Sequence, residues 1–353
     1  MKACYINGLG SISAQKTYEA DFLEEVTVNH AENVLFAMQP SYKEVIPPSA
    51  IRRMAKGVKM GIYASNQALL ESKVEVPDAI ITGTGMGCVE DSDKFLKAIL
   101  DNNEEFLTPT SFIQSTHNTV GAQIALGLQC KGYNFTYVNG AVSFESALLD
   151  AKLQLEYEEA NTILVGGIDE TTQYTLDLYE MVNIIKRKED KPFSVLNSKS
   201  NGVVYSEGAS FFVLEAEQKE CSYAVFKDIT LFNELSPDEV PRFITQFLES
   251  NNLTTEDIDV LVLGNNGDAS FDDYYSKAES TFDKVAKVYY KHLSGEYNTA
   301  SAFGLWVAAK ILKTQEIPQA VKMNTIIKAK YDYALLYNQY RGKDHSLILL
   351  KQC

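Results

Sequence analysis

Apolar and polar positions along the chain follow two alternating spacings, which predict interleaved strands and helices. Short aliphatic runs that end in Gly or Asn, such as DAIITGTGMG, NTILVGGIDE and DIDVLVLGNNGD, predict buried strands. Longer stretches carry apolar residues at helical spacing, among them IRRMAKGVKMGIYASNQALLES and the small-residue-rich TASAFGLWVAAKIL. TSFIQSTHNTVGAQIALGLQCKG is predicted to begin as a loop and to become a helix at about Asn118. This alternation predicts an α/β protein with a layered core.

The alternation of strands and helices occurs twice along the chain. The first series ends in the strand GASFFVLEAE, and the second runs from YAVFKDITLF to HSLILLKQC. No Ser-, Gly- or Pro-rich linker separates them, and the polar stretch from Ile184 to Ser206 predicts a long loop. We therefore expect two α/β halves, residues 1–216 and 217–353, that share one core.

One strand-turn-helix corner, YNFTYVNGAVSFESALLDAKLQL, has the pattern that often positions a nucleophile. An aromatic and β-branched run enters a tight Asn-Gly-Ala turn, and a helix follows at once. The corner residue, however, is Ala141, which has no reactive group. Ser143 is the nearest hydroxyl, but it is expected inside the first turn of the helix.

Composition and charge narrow the class of protein. Hydrophobic residues make up 45% of the 353 residues, which is enough for a sizeable core. The apolar runs are strand-sized, and MKACYINGLGSIS lacks the apolar region of a signal peptide, so we expect a cytoplasmic protein without a membrane span. The net charge of -15 disfavours nucleic acid and anionic membranes. Five scattered cysteines without CxxC spacing predict neither disulfides nor a metal site, and no cofactor is expected.

Two further segments have a structural and a functional interpretation. GTGMGCVE lacks the third Gly of a dinucleotide fingerprint, which favours a structural turn. IRRMAKGVK places Arg52, Arg53, Lys56 and Lys59 on a short stretch with helical spacing. These basic residues are either a solvated helix face or a docking site for an acidic partner.

Several segments, in this order, resemble one family. They are INGLGSIS, GTGMG, SFIQSTHNTVGAQIALGLQCKG, VGGIDE, KPFSVLNSKSNGVVYSEGASFFVLE and KHLSGEYNTASAFG. The chain resembles the β-ketoacyl synthases, the condensing enzymes of fatty acid and polyketide assembly. The resemblance implies a thiolase-like α/β fold with five α-β-α-β-α layers and two similar halves, normally dimeric.

Family chemistry uses a Cys nucleophile and two His residues, and this sequence departs from all three. By resemblance, Ala141 takes the place of the Cys, Asn266 of the first His and Glu296 of the second. A methyl group cannot form a thioester, an amide cannot accept a proton near pH 7, and a carboxylate adds negative charge where an enolate would develop. A family Lys is retained as Lys291 and is expected to pair with Glu296 or another acid.

The family's gate and docking surfaces can be placed in the same way. The gate motif G-F-G-G corresponds to Gln339, Tyr340, Arg341 and Gly342, so two hinge glycines are absent and the gate is not expected to swing. Resemblance puts carrier-protein docking near Arg52 and Arg53. It also puts partner-facing surfaces at residues 114–118 and 134–139.

These departures predict a protein without condensing activity of its own. We expect a partner resembling a chain length factor, in a heterodimer with an active ketosynthase that also engages an acyl carrier protein in fatty acid or polyketide/polyene biosynthesis. Such factors often carry Gln at the nucleophile position, and Ala differs from that. The alternatives are an acyl-thioester hydrolase or transferase that uses Glu296 and Asn266, a homodimeric acyl-binding scaffold, and a weakly active condensing enzyme.

Overall fold

One mixed sheet of ten strands runs through the computed structural model, which describes residues 3–18, 23–105 and 107–353. Across the sheet the strands follow the order β3-β2-β4-β5-β1-β6-β10-β9-β7-β8. In chain order they are β1 (Tyr5–Ile12), β2 (Ala79–Gly83), β3 (Tyr133–Tyr137), β4 (Thr162–Asp169), β5 (Gly208–Glu215), β6 (Ala224–Glu234), β7 (Val260–Leu263), β8 (Ala286–Tyr289), β9 (Tyr333–Tyr340) and β10 (Lys343–Lys351).

The α-helices connect and cover these strands. In chain order they are α1 (Pro48–Ile51), α2 (Lys56–Ser72), α3 (Val89–Asp101), α4 (Pro109–Ser115), α5 (Thr119–Leu128), α6 (Ser143–Glu156), α7 (Gln173–Met181), α8 (Val240–Ser250), α9 (Asp272–Ser280), α10 (Lys291–Ser294) and α11 (Ser301–Thr314). No helix among the described residues is both long and apolar enough to cross a membrane.

The two ends of the sheet have the same strand arrangement. β2 is parallel to both β3 and β4, and β7 is parallel to both β8 and β9. β5 and β10 then run antiparallel to β4 and β9, and they lead to β1 and β6. The two ends meet where β1 pairs with β6 over two residues, Tyr5 and Ile6. This repeat gives the fold two similar halves, while the boundary after residue 216 stays a prediction.

The helices and the two halves of the sheet together form five layers. α6 and α11 form the central layer, where Phe144, Phe212 and Phe303 lie in the main core cluster. α2 and α5 cover the outer face of the first half, and α8 and α9 lie in a separate core cluster with β7, β9 and β10. Small residues in α11 permit this close packing: a Cβ on Gly304 would approach the Tyr290 ring to 2.7 Å. The chain therefore has the thiolase-like α/β architecture.

Several segments differ from the sequence prediction. The predicted helix from Ile51 is interrupted, because α1 ends at Ile51 and α2 begins only at Lys56. The predicted loop before Asn118 contains α4, which starts with a Pro. Proline is tolerated there because the first N–H groups of a helix have no partner within the helix. The prediction also left out α7, β8 and β9.

Candidate functional site

The strand-turn-helix corner folds as the sequence predicts, and Ala141 lies at its tip. β3 ends at Tyr137, a short 3₁₀ turn spans Gly140–Val142, and α6 begins at Ser143. Gly140 has φ +53°, the left-handed region that glycine tolerates. The Ser143 hydroxyl accepts the N–H of Asn139 at 2.8 Å and donates to the carbonyl of Gly140 at 2.7 Å. Ser143 therefore closes the turn, as expected for a residue of the first helical turn.

The corner rests directly on the ends of neighbouring strands. A Cβ on Gly83, the last residue of β2, would lie 2.4 Å from the carbonyl oxygen of Ser143. A Cβ on Gly167 in β4 would lie 2.8 Å from the Cβ of Thr299, just before α11. The glycines at these strand ends thus let the start of α6 and the segment before α11 approach the sheet.

The residues at the other family positions meet in one buried cluster. Lys291 begins α10, Glu296 follows Gly295 after that helix, and Asn266 follows the end of β7. Lys291 Nζ lies 2.7 Å from Glu296 Oε2, and Asn266 Nδ2 donates to the same oxygen at 2.7 Å. All three residues are at most 3% exposed. The predicted pairing of Lys291 with Glu296 is confirmed.

Asn338 completes this cluster and was not predicted. It lies on β9, and its Oδ1 accepts a second hydrogen bond from Lys291 at 2.8 Å. A polar residue in the apolar run YALLYNQY was the available signal, because a buried amide in a strand needs a partner. The ammonium group is therefore held between a carboxylate and an amide oxygen.

Backbone contacts fix Glu296 in the cluster. Its N–H donates to the carbonyl of Val204 at 2.8 Å, and its carbonyl accepts the N–H of Ser206 at 2.9 Å. Both partners lie in NGVVYSEGASFFVLE, part of one of the segments that carry the family resemblance. That segment therefore supports Glu296 through backbone hydrogen bonds.

Tyrosines surround the Glu296 carboxylate. Burial raises the pKa of Tyr275, Tyr290 and Tyr340 above the ordinary value, and the negative charge of Glu296 raises it further. Their phenols therefore stay neutral, and none can supply an anionic base near pH 7. The hydroxyl of Tyr275 donates to the carbonyl of Gln339 at 3.3 Å, which ties this shell to the gate segment.

Asp169, at the end of β4, binds the turn GTGMGCVE, which partly matches a dinucleotide fingerprint. Its carboxylate accepts hydrogen bonds from the N–H groups of Gly85 and Met86 at 2.8 and 3.2 Å. It also accepts from the N–H and the hydroxyl of Thr299, both at 2.9 Å. Burial raises the pKa of Asp169 despite these donors. Because an internal carboxylate already takes these N–H groups, the turn has a structural role.

Glu170 links two helices. Its carboxylate accepts the N–H of Gly57 at the start of α2 and, at 2.9 Å, the N–H of Glu90 at the start of α3. Both groups belong to the first turns of their helices, which lack partners within the helix. Burial raises the pKa of Glu170 to about 7. The position carries no sequence signal, since only the tertiary fold brings the two helix ends together.

The gate positions form a tight β-hairpin. β9 ends at Tyr340, β10 begins at Lys343, and the two residues between them have positive φ, +54° for Arg341 and +75° for Gly342. This combination is typical of a two-residue type I′ turn. Gln339 Oε1 accepts the N–H of Gly342 at 2.7 Å. The segment is thus braced by its own side chain.

The predicted basic patch is divided by the fold. Arg52 and Arg53 are exposed in the turn before α2, outside any helix, which corrects the predicted helical stretch. Lys56 turns inward, where its ammonium pairs with the buried carboxylate of Glu207 and donates to Thr171 O. Arg52 and Arg53 therefore form an exposed pair, whereas Lys59 is half-buried on α2.

One of the two predicted partner-facing segments, residues 134–139, includes most of the edge strand of the sheet. β3 is the terminal strand, and Phe135 on it is 46% exposed. Its ring contacts those of Tyr133 and Tyr137 at centroid distances of 6.0 and 4.9 Å. The other predicted segment, residues 114–118, begins in α4, where Gln114 is buried and the neighbouring Phe112 is exposed. The edge therefore carries a row of aromatic side chains.

Comparison with known proteins assigns the class. Residues 13–220 match the family described as "Beta-ketoacyl synthase, N-terminal domain", and the chain belongs to this family. No curated protein matches the sequence.

Solved structures with similar folds include three ketosynthase structures. A β-ketoacyl synthase from Burkholderia phymatum STM815 has 16% identity and a TM-score of 0.79 over 100% of both chains. The ishigamide ketosynthase/chain length factor has 17% identity and a TM-score of 0.81 over 100% of this chain and 99% of that one. A type II polyketide synthase acyl-carrier protein in complex with its ketosynthase bound to the hexaketide gives 13% identity and a TM-score of 0.76 over 100% of both chains. At these identities the similarity shows the thiolase-like fold.

Proposed function

We propose that this chain is a non-condensing member of the family that pairs with an active ketosynthase, in the manner of a chain length factor. The observation that carries the proposal is the occupancy of the catalytic positions. Ala141 offers a methyl group at the corner, and Asn266 and Glu296 are bonded to each other in a buried cluster. Such a chain would contribute to the acyl tunnel of its partner rather than to bond formation.

The buried cluster opposes condensation on electrostatic grounds. Condensation needs donors aimed at a developing enolate oxygen. Here the Asn266 amide already donates to Glu296, and the positive charge of Lys291 is taken by the same carboxylate. The cluster therefore has no uncompensated positive charge for an oxyanion. The same bonds oppose the hydrolase alternative, because Glu296 Oε2 already accepts two hydrogen bonds at 2.7 Å.

The edge of the sheet supports the pairing. A terminal strand presents unpaired backbone groups and can accept another strand. β3 combines such an edge with exposed Tyr133, Phe135 and Val138. Aromatic anchors of this type are enriched at protein interfaces. A homologous chain with the same edge strand would extend the ten-stranded sheet across the dimer.

The acyl carrier protein would dock mainly on the partner, because of charge. The acyl carrier proteins that serve this family are strongly acidic, and this chain has a net charge of -15. The active ketosynthase would therefore supply most of the basic docking surface, and Arg52 and Arg53 would add a local contact. Both arginines are exposed.

Two measurements test the proposal. Tagged chain would be co-expressed with a ketosynthase encoded next to it, and the purified complex analysed for stoichiometry; we expect a 1:1 heterodimer, and recovery of homodimer alone would contradict the pairing. The purified chain would then be incubated with an acyl thioester and analysed by intact-protein mass spectrometry. An acyl adduct on this chain would contradict the inactive assignment.

A further inference from the structure

A polar cavity lies beside the long loop after α7, away from the corner and the edge strand. Its volume is about 440 Å³, within the range of small-ligand sites. Its polar lining is Asn183, Arg187, Asp190, Lys199, Ser200 and Asn201, with Ile185 as the apolar member. In a chain with a net charge of -15, a cavity with two basic side chains and one acidic side chain is locally positive.

The two basic side chains of the cavity have exposed charges with few partners. Lys199 makes no ion pair or hydrogen bond among the described residues. Arg187 donates from Nε to Asn183 at 2.8 Å and lies 3.9 Å from Glu189. At that distance the ion pair is weak, and most of the guanidinium donors remain available.

A buried lysine lies behind the cavity wall. Lys186 is 0% exposed, and its ammonium donates to the hydroxyls of Ser198 and Ser200 at 2.8 Å each and to the carbonyl of Gly267. No carboxylate among the described residues reaches it within ion-pair distance; Asp268, Asp190 and Asp272 act on it only from further away. Burial of such a charge is unfavourable and lowers the pKa of Lys186.

Ser200 connects this buried charge to the cavity. Its Oγ accepts from Lys186, which leaves its own hydroxyl proton for another acceptor. An anion in the cavity would accept a hydrogen bond from this hydroxyl, which the ammonium group behind it polarises. The anion would also accept hydrogen bonds from Arg187 and Lys199. Charge-assisted bonds of this kind are the strong ones, and the planar guanidinium fits a phosphate bidentately.

We propose that this cavity binds the phosphate group of a small free ligand, through Arg187, Lys199 and Ser200. Asp190 lines the same cavity, and its Oδ2 accepts the N–H of Arg187 at 3.3 Å. If the ligand carries a hydroxyl next to its phosphate, that hydroxyl would donate a hydrogen bond to this carboxylate. The site is independent of the proposed pairing, since no residue of β3 or of the corner belongs to it.

The test uses the full chain and inorganic phosphate as the probe. Isothermal titration calorimetry at constant ionic strength should show one site, and thermal unfolding should shift upward with phosphate but not with chloride. Arg187→Gln/Lys199→Gln should weaken phosphate binding at least about tenfold. Ser200→Ala, which leaves the charge unchanged, should weaken it about threefold to tenfold.

Lys188→Gln is the matched control. Lys188 is exposed on the same loop but does not line the cavity, and the substitution removes the same charge as Lys199→Gln. We expect phosphate binding by this variant to equal that of the unmodified chain. Equal weakening by Lys188→Gln and Lys199→Gln, or unchanged binding after Ser200→Ala, would overturn the site and leave only general surface charge.

Discussion

Lys291 and Glu296 form a buried ion pair in which Nζ and Oε2 are 2.7 Å apart, and the family resemblance predicts a catalytic His at the position of Glu296. Neither residue is more than 2% exposed. Each charge is therefore tolerated because of the other. The pair is therefore held in a fixed geometry in which the two charges compensate each other.

Removal of one partner of this pair should destabilise the fold. Lys291→Met leaves the Glu296 carboxylate buried with only the Asn266 amide as donor, and we expect a loss of about 3–5 kcal/mol in the free energy of unfolding. The double variant Lys291→Met/Glu296→Gln removes both charges and should lose less than the single variant. Urea denaturation of both proteins measures the difference, and a loss in the double variant as large as or larger than that in Lys291→Met would contradict the coupling of the pair.

The edge strand should control association. Phe135→Lys places a charge on β3 at the surface proposed to pair, and we expect the affinity for the partner to fall about hundredfold, or about 2–3 kcal/mol. Phe232→Lys is the control, since Phe232 is 51% exposed on β6 and Phe135 is 46% exposed on β3. Analytical ultracentrifugation of the co-purified complex would compare them. Equal weakening by both substitutions would contradict an interface at β3.

Glycine-terminated strands and the corner at Ala141 could be predicted because they depend on local sequence. The pairing of Lys291 with Glu296 was also accessible, since the two are only five residues apart. The partners of Asn338 and Glu170 were not, because Asn338 meets Lys291 across 47 residues and Glu170 meets Gly57 across 113. Lys56 illustrates the same limit: its spacing fits an exposed helix face, but the buried Glu207 draws it inward.

Glu145 should make stability depend on pH. It is fully buried on α6, and burial raises its pKa from the ordinary 4.5 to about 7 despite a hydrogen bond from Ser346 at 3.0 Å. Because the folded state holds the proton more tightly, the stability it contributes is complete below pH 4.5 and is lost as the pH rises through about 7. The loss by pH 8.5 is about 3 kcal/mol.

Glu145→Gln should remove the part of the pH dependence that Glu145 contributes, whereas Glu170, whose pKa burial also raises to about 7, should keep its own contribution. Gln cannot ionise, so the free energy of unfolding of the variant should fall less between pH 5 and pH 8.5 than that of the unmodified chain. Glu249→Gln, at an exposed position on α8, should keep the original dependence. Urea denaturation across this pH range would distinguish them, and parallel curves for all three proteins would show that Glu145 does not titrate here.

The packing of the corner against β2 gives the sharpest structural prediction. A Cβ on Gly83 would lie 2.4 Å from the Ser143 carbonyl oxygen and 2.6 Å from the Phe144 nitrogen, and both are backbone atoms that cannot rotate away. Gly83→Ala should therefore cost about 3 kcal/mol or more, or prevent soluble expression. Gly127→Ala is the matched control: nothing lies within 4 Å of its Cβ position, and it is in α5. Alanine there should stabilise the chain by about 0.5–1 kcal/mol, because glycine is a poor helix former. Thermal unfolding of both variants tests the prediction, and similar behaviour of the two would show that the corner does not press on β2 as described.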